Sequence, residues 1–283
     1  KMDRVGHDQA VFDGIADAYR AHAAKLGIAS VTAIPLAAAS GANVTVPASE
    51  TMAWYDGPTV LDFLESVEVE PRGAGLPARL PVQLVQRDGE GGRWLAGTLA
   101  SGTLRAGDAL RVEPGGVVAS VAALRRSGAE VDEARAGEAV SVRLLEDVDA
   151  ARGDVLAAAD APLAATDQFV ADLLWFDEAA LLPGRRYQLQ AGTRVVGARV
   201  GEIKHLLDPE TLQPLAAKRL EANDIGEVAL ALDAPVPYAP YAEEPAMGGF
   251  ILVDMLSRAT VGAGMVRHGL RRADNIHWQA LDV

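Results

Sequence analysis

Two kinds of hydrophobic pattern follow one another along the chain, and the change between them divides it. Between residues 9 and 26, Phe12, Ile15, Ala16, Tyr19, Ala23 and Leu26 recur at three- and four-residue spacing, the period of one helix face. Gly27 follows as a stop, because glycine readily adopts the left-handed backbone on which helices end. A short, partly β-branched apolar run from Ile28 to Leu36 then predicts a buried strand. It leads into a loop of small residues, Ala37-Ala38-Ala39-Ser40-Gly41-Ala42-Asn43-Val44. Pro58 suits the first position of a second helix, with Val60, Leu61, Phe63 and Leu64 along one face. Residues 70 to 79 (EPRGAGLPAR) carry no period and read as a linker.

From Leu80 the period becomes two. Strands are expected at 80–86, 93–99, 109–113, 117–124 and 139–144, with tight turns at Gly107-Asp108 and Gly115-Gly116. Short strands at this spacing predict a small barrel. The segment AAADAPLAAT at 157–166 interrupts the alternation, which resumes at 168–175, 186–189, 193–203, 227–232 and 249–254 as a second barrel. The expected division is therefore 1–69, 70–160 and 161–268, with 269–283 as a polar linker toward whatever follows.

Charge and composition narrow the function. A net charge of -13 and a pI near 4.8 argue against nucleic acid as a partner, since phosphate contacts need Lys and Arg in excess. There is no cysteine, hence no disulfide and no thiolate metal site, which suits a cytoplasmic protein. No apolar run approaches the ~20 residues of a membrane span. His7, His22, His205, His268 and His277 show no metal-ligand spacing, so no metal site is expected from them. Trp54, Trp94, Trp175 and Trp278 read as packing anchors. The pairs Arg125-Arg126, Arg185-Arg186 and Arg271-Arg272 read mostly as solvated faces, as do Asp177-Glu178 and Glu243-Glu244, and none is assigned catalysis.

Candidate chemistry sits at the start. Lys1-Met2-Asp3 matches the last three residues of an NKxD loop, in which the carboxylate accepts two hydrogen bonds from N1–H and the exocyclic amino group of guanine. Adenine offers neither donor and would leave Asp3 unpaired. The small-residue loop falls at the carboxyl end of the expected strand, where open α/β sheets bind ligands, and small side chains let backbone N–H groups approach a base. No GxxxxGK[ST] phosphate loop occurs in the sequence.

The stretches KMDRVGHDQAVFDGI, IPLAAASGANV and WYDGPTVLDFLE resemble the end of the GTPase domain in the large, GTP-binding subunit of bacterial sulfate adenylyltransferase, a relative of the translational GTPases. GTLASGTLRAGDALRV is similar to that family's second domain. FVADLLWFDEAALLPGRRYQLQAGT, RLEANDIGEVALALDAPV and GGFILVDMLSRATVGAGMV are similar to its third. The resemblance implies a mainly β chain: two consecutive β-barrels preceded by the C-terminal remnant of an α/β P-loop GTPase domain. It implies coupling of GTP hydrolysis to the formation of adenosine 5'-phosphosulfate and pyrophosphate from ATP and sulfate, on a small catalytic subunit as partner. GTP and Mg2+ are the implied cofactors, with the Mg2+ ligands upstream of Lys1. Guanine would be read by Lys1, Asp3, Ala38 and Ala39; the serine that usually opens this loop is replaced by Ala37. LRRADNIHWQALDV resembles a junction to an adenylylsulfate kinase domain, so both ends read as truncated and this chain alone is not expected to hydrolyse GTP. The competing expectation is an elongation-factor-like GTPase that binds aminoacyl-tRNA; the Pro-Gln-Phe stretch of such a factor's third domain is missing from the sequence.

Overall fold

Backbone pairing separates the chain more sharply than periodicity does. The computed structural model describes residues 1–28, 30–68, 73–89 and 92–270, and the chain falls into two compact units, Lys1–Glu70 and Pro71–Val283.

The first unit begins with a 3-10 turn, Met2–Val5, ended by Gly6 at φ 63°. Helix α1 (Gln9–Lys25) is capped by Asp8, whose carboxylate accepts from the amides of Ala10 (2.7 Å) and Val11 (3.3 Å), satisfying two of the helix's orphan donors. It ends at Leu26, before Gly27 at φ 73°. The helical period is as expected, but within this unit only Ala16 and Ala23 of that face are buried; Ile15 and Tyr19 are 66% and 60% exposed. The strand expected over 28–36 forms no ladder among the described residues, because a strand needs a neighbour and none of the unit's described segments supplies one. An isolated antiparallel bridge, Ala37 to Ala42, stands at its end. Helix α2 (Val60–Ser66) starts two residues after Pro58: Thr59 is the cap, its side chain bonded to the Asp62 amide at 3.1 Å while the Asp62 carboxylate reaches back to the Thr59 amide. This reciprocal capping box outcompetes proline as the start signal. Leu61 and Leu64 are exposed within the unit.

Among the described residues the second unit holds two groups of strands, the first an eight-stranded sheet with a two-stranded one beside it, the second a seven-stranded sheet. The first comprises β1 (Arg79–Pro81), β2 (Leu84–Arg87), β3 (Arg93–Thr98), β4 (Thr103–Arg105), β5 (Ala109–Glu113), β6 (Val117–Arg126), β7 (Ala129–Val131), β8 (Glu133–Arg135), β9 (Ala139–Leu144) and β10 (Val155–Ala158). Its antiparallel path runs β1-β10-β5-β6-β9-β3-β2, with β4 and β8 paired separately. It is a half-barrel, with an isolated bridge leading from Ser101 back to Arg79 of β1. The strand expected at 80–86 divides because the chain changes partner: Val82 donates to the Asp154 carbonyl and Gln83 to that of Ala96, each at 2.8 Å. Leu80, Leu95, Leu104, Leu110, Val142 and Leu156 fill its core.

The second sheet comprises β11 (Ala164–Trp175), β12 (Arg186–Ala191), β13 (Arg194–Leu207), β14 (Pro214–Leu215), β15 (Ile225–Tyr238), β16 (Gly249–Asp254) and β17 (Thr260–Gly269), with a short helix α3 (Pro245–Gly248) before β16. Its order, β12-β16-β17-β11-β15-β13, closes through the β12–β13 ladder, so six strands have no free edge. Inside, the rings of Trp175 and Tyr187 meet edge-on at 5.6 Å, surrounded by Phe169, Leu173, Leu189 and Leu252.

Glu244, expected to face water, is instead 5% exposed. Its carboxylate accepts from Ser101 Oγ at 2.7 Å and Arg79 Nε at 3.4 Å, joining the half-barrel to the closed one beside an apolar patch of Val155, Ala157, Leu163 and Met247. A carboxylate so buried requires a cation and hydrogen-bond donors, and Arg79, itself 4% exposed, meets that need. The described arginine pairs are also engaged: Arg125 with Glu130 (3.7 Å), Arg126 with Glu138, Arg185 with Asp254 (2.6 Å) and Arg186 with Asp233. Arg271, Arg272, His277, Trp278 and most of the expected linker at 269–283 lie outside the described residues.

Candidate functional site

The two expected base-reading segments meet at one atom. The Leu36 carbonyl accepts from the Met2 amide at 3.0 Å and from the Lys1 backbone nitrogen at 3.0 Å. Residues 1–3 are thereby fixed against the entrance to the small-residue loop, with Asp3 one residue past Met2 and Ala38 two past Leu36.

The loop is a closed turn. Ala37, fully buried, donates to the Ala42 carbonyl at 3.1 Å and accepts from the Ala42 amide at 3.2 Å. Within the turn Ser40 donates to the Ala37 carbonyl through its amide and its hydroxyl, both at 3.2 Å, and Gly41, at φ 75°, donates to the Ala38 carbonyl at 3.3 Å. The amides of Ala38 and Ala39, on exposed residues, donate to no acceptor among the described residues. Free amides on exposed residues whose side chains are a single carbon form an acceptor-seeking edge, suited to a carbonyl oxygen such as guanine O6. Asp3, also exposed, has no hydrogen bond or ion pair among the described residues, so its carboxylate is free to accept from a ligand. Lys1 is exposed as well, and its side-chain amine likewise has no ion pair there.

Periodicity did not single out Asn43, a buried residue near the end of this loop. The only local signal was an Asn in a run of small residues, one of the few types that tolerate a left-handed backbone; its φ is 56°.

Elsewhere, a surface cleft of ~830 Å³ on the half-barrel is bordered by Gln86, Arg87, Trp94 and Arg125. The Arg125 guanidinium lies 3.9 Å from the Trp94 ring centroid, and Trp94 Nε1 donates to Asp88 at 2.9 Å, so the most prominent aromatic is occupied by its own neighbours. Trp175 is equally internal, donating to the Ala179 carbonyl at 2.9 Å. On the closed barrel, Asp254 accepts from the Leu256 and Ser257 amides and from Arg185, which hold its carboxyl down to about 2. Burial pushes Glu227 up, but Lys204 and Arg267 more than offset it and leave the carboxyl below its usual range. Both belong to ion-paired surfaces of the sheet. No helix among the described residues is long and apolar enough to cross a membrane.

Known proteins place the chain in context. Residues 168–267 match the family described as GTP-eEF1A C-terminal domain-like. The whole chain is 47% identical to a bifunctional enzyme CysN/CysC of Xylella fastidiosa and aligns with 45% of that protein. It is 46% identical to a bifunctional enzyme NodQ of Azospirillum brasilense, again over all of this chain and 46% of that one. Sulfate adenylyltransferase subunit 1 of Aeromonas hydrophila is 40% identical over 95% of the chain and 57% of its own length. The chain thus spans about half the length of the curated relatives it matches. Among solved structures, Sup35 complexed with GDP superimposes with a TM-score of 0.66 at 23% identity, covering 96% of this chain and 68% of that one, a likeness of fold. Mainly β, with a closed barrel, a half-barrel and a loop unit, the chain is thus similar over nearly all of its length to part of sulfate adenylyltransferase subunit 1 and of the bifunctional CysN/CysC and NodQ enzymes, and its closed barrel matches the eEF1A-like C-terminal domain family.

Proposed function

We propose that this chain is the base-recognition end and the two barrels of a GTP-dependent sulfate adenylyltransferase large subunit. The observation that carries the reading is the shared Leu36 carbonyl, which juxtaposes a free carboxylate at Asp3 with the free amides of Ala38 and Ala39, in a chain 47% identical throughout to a CysN/CysC enzyme. Asp3 accepts from N1–H and the 2-amino group of guanine, the amides of Ala38 and Ala39 donate to O6, and the Lys1 stem lies along the base. The hydrogen bonds among these contacts fail with adenine, whose 6-amino group meets the amides donor to donor. Phosphates and Mg2+ are held by a loop of the GxxxxGK[ST] type that this sequence does not contain. In the whole protein, GTP hydrolysis is coupled to the uphill joining of sulfate to ATP on a small catalytic subunit, giving adenosine 5'-phosphosulfate and pyrophosphate, and an adenylylsulfate kinase follows as in the bifunctional relatives. The functional division is 1–69 for the nucleotide domain, 70–160 and 161–268 for the barrels, and 269–283 for the linker to the kinase.

The test is sulfate-dependent formation of adenosine 5'-phosphosulfate by the full-length protein with its catalytic subunit. Stimulation by GTP, lost with Asp3→Ala, is the expected result; a folded, GTP-binding protein that gives no stimulation would remove the sulfate assignment. The second reading, a translation GTPase, draws on the eEF1A-like match of residues 168–267. GTP-dependent retention of aminoacyl-tRNA would favour it, against the charge of -13.

A further inference from the structure

Asn43 uses all of its hydrogen-bonding groups inside the fold. Nδ2 donates to the Pro35 carbonyl at 2.9 Å and Oδ1 accepts from the Ala48 amide at 2.7 Å. Its own amide donates to the Val46 carbonyl at 3.0 Å, and its carbonyl accepts from the Val60 amide at 3.0 Å. The residue is 3% exposed and held at φ 56°. One side chain therefore ties the segment entering the small-residue loop (Pro35) to the segment leaving it (Ala48), while its backbone joins both to the first residue of α2. The loop's internal bonds, at 3.1 to 3.3 Å, are longer than these. Ala38 and Ala39 have no polar side chain with which to fix the direction of their amides. An amide reads an acceptor only when its N–H is aimed, since hydrogen bonds weaken steeply as they bend.

We propose that Asn43 is the positioning residue of base recognition: by pinning Pro35 to Ala48 it aims the Ala38 and Ala39 amides and so sets selectivity at the 6-position of the purine. This rests on the guanine reading proposed above. It differs from a purely structural role in acting on one edge of the base. Loss of the brace relaxes the O6 contact and leaves the Asp3 contact to the 2-amino group in place.

The test uses the full-length protein and two variants. Asn43→Gly removes the brace while accommodating positive φ without strain. Asn43→Asp keeps the acceptor for Ala48 but has no donor for Pro35. Equilibrium affinities are measured for GTP and for 2-aminopurine riboside triphosphate, which keeps the 2-amino group for Asp3 but lacks O6 and, with it, the N1 proton; the N1 loss is common to wild type and variants, so the change in the ratio of the two affinities reports the O6 contact. Wild type is expected to prefer GTP. Asn43→Gly should lose about three- to tenfold in GTP affinity, the worth of one net hydrogen bond, with the analogue unchanged, and Asn43→Asp should fall between. Equal weakening of both nucleotides, or an unaltered ratio in both variants, overturns the proposal and leaves the guanine reading standing. If Asn43→Gly does not fold, Asn43→Asp carries the same comparison. A wild type that does not distinguish GTP from the analogue overturns the base reading itself, and this inference with it.

Discussion

The closed barrel and the small-residue loop hold backbone in place by opposite means. In the barrel, geometry is distributed: six antiparallel strands share every ladder with two neighbours, around a core of Phe169, Leu173, Trp175, Tyr187 and Leu252. In the loop unit the described residues form no strand ladder, and position depends on a few side chain to backbone bonds, those of Asn43, Asp8 and Thr59. Distributed order resists the loss of any one polar contact but is sensitive to lost volume. Concentrated order is the reverse, and it leaves amides such as those of Ala38 and Ala39 free to bind something else.

The sharpest way to break that contrast is to remove volume from the barrel. Trp175→Ala, which deletes a fully buried ring and its edge contact with Tyr187, should cost about 3–5 kcal/mol in a denaturant titration. A loss under 1 kcal/mol would mean that the barrel does not depend on its core as described. The junction between the two sheets comes next. Glu244→Ala strands the buried Arg79 guanidinium and should cost about 3 kcal/mol, whereas the double replacement Arg79→Met with Glu244→Leu should recover most of it, because an apolar pair carries no desolvation penalty. Thermal melts of the single and double variants decide whether the charge or the packing joins the barrels. In the loop unit, Thr59→Ala removes one half of the α2 capping box and should cost about 1 kcal/mol, read as increased amide exchange over Val60–Ser66. Equal exchange in both proteins would show that the cap contributes nothing there.

The smallest effect is one of pH. Asp254 titrates near 2 in the folded state and near the ordinary carboxylate value when unfolded, so the unfolded chain binds its proton first on acidification. Its contribution is fully present above about pH 4 and disappears as pH falls through 2. Asp254→Asn should therefore flatten the dependence of the melting temperature on pH within that window and leave its slope above pH 5 unchanged. A parallel shift of the whole curve would assign the residue a role other than charge.

Much of this was legible in one dimension. β5, β9 and β16 coincide with their alternating runs, since a period of two leaves little choice of register when one face is buried. β17 was not, because Gly262 and Gly264 make it read as a loop; a side chain at Gly264 would run into the Phe250 ring, so the glycine belongs to the packing of a partner strand. Of the site, Asp3 and the small-residue loop were visible as motif and composition, whereas Asn43 carried no periodic signal. Glu244 was read as solvent-facing because its partner, Arg79, lies 165 residues away.

Local period and turn chemistry therefore determined from the sequence alone that this chain is a helical, loop-bearing segment followed by a mainly β region, because a strand's alternation and a helix's cap are properties of neighbouring residues. Only the tertiary structure decided which barrel closes, that Glu244 meets Arg79, and that Asn43 ties Pro35 to Ala48. Burial, ladder closure and a hydrogen bond between distant groups exist only once the chain has brought those groups together.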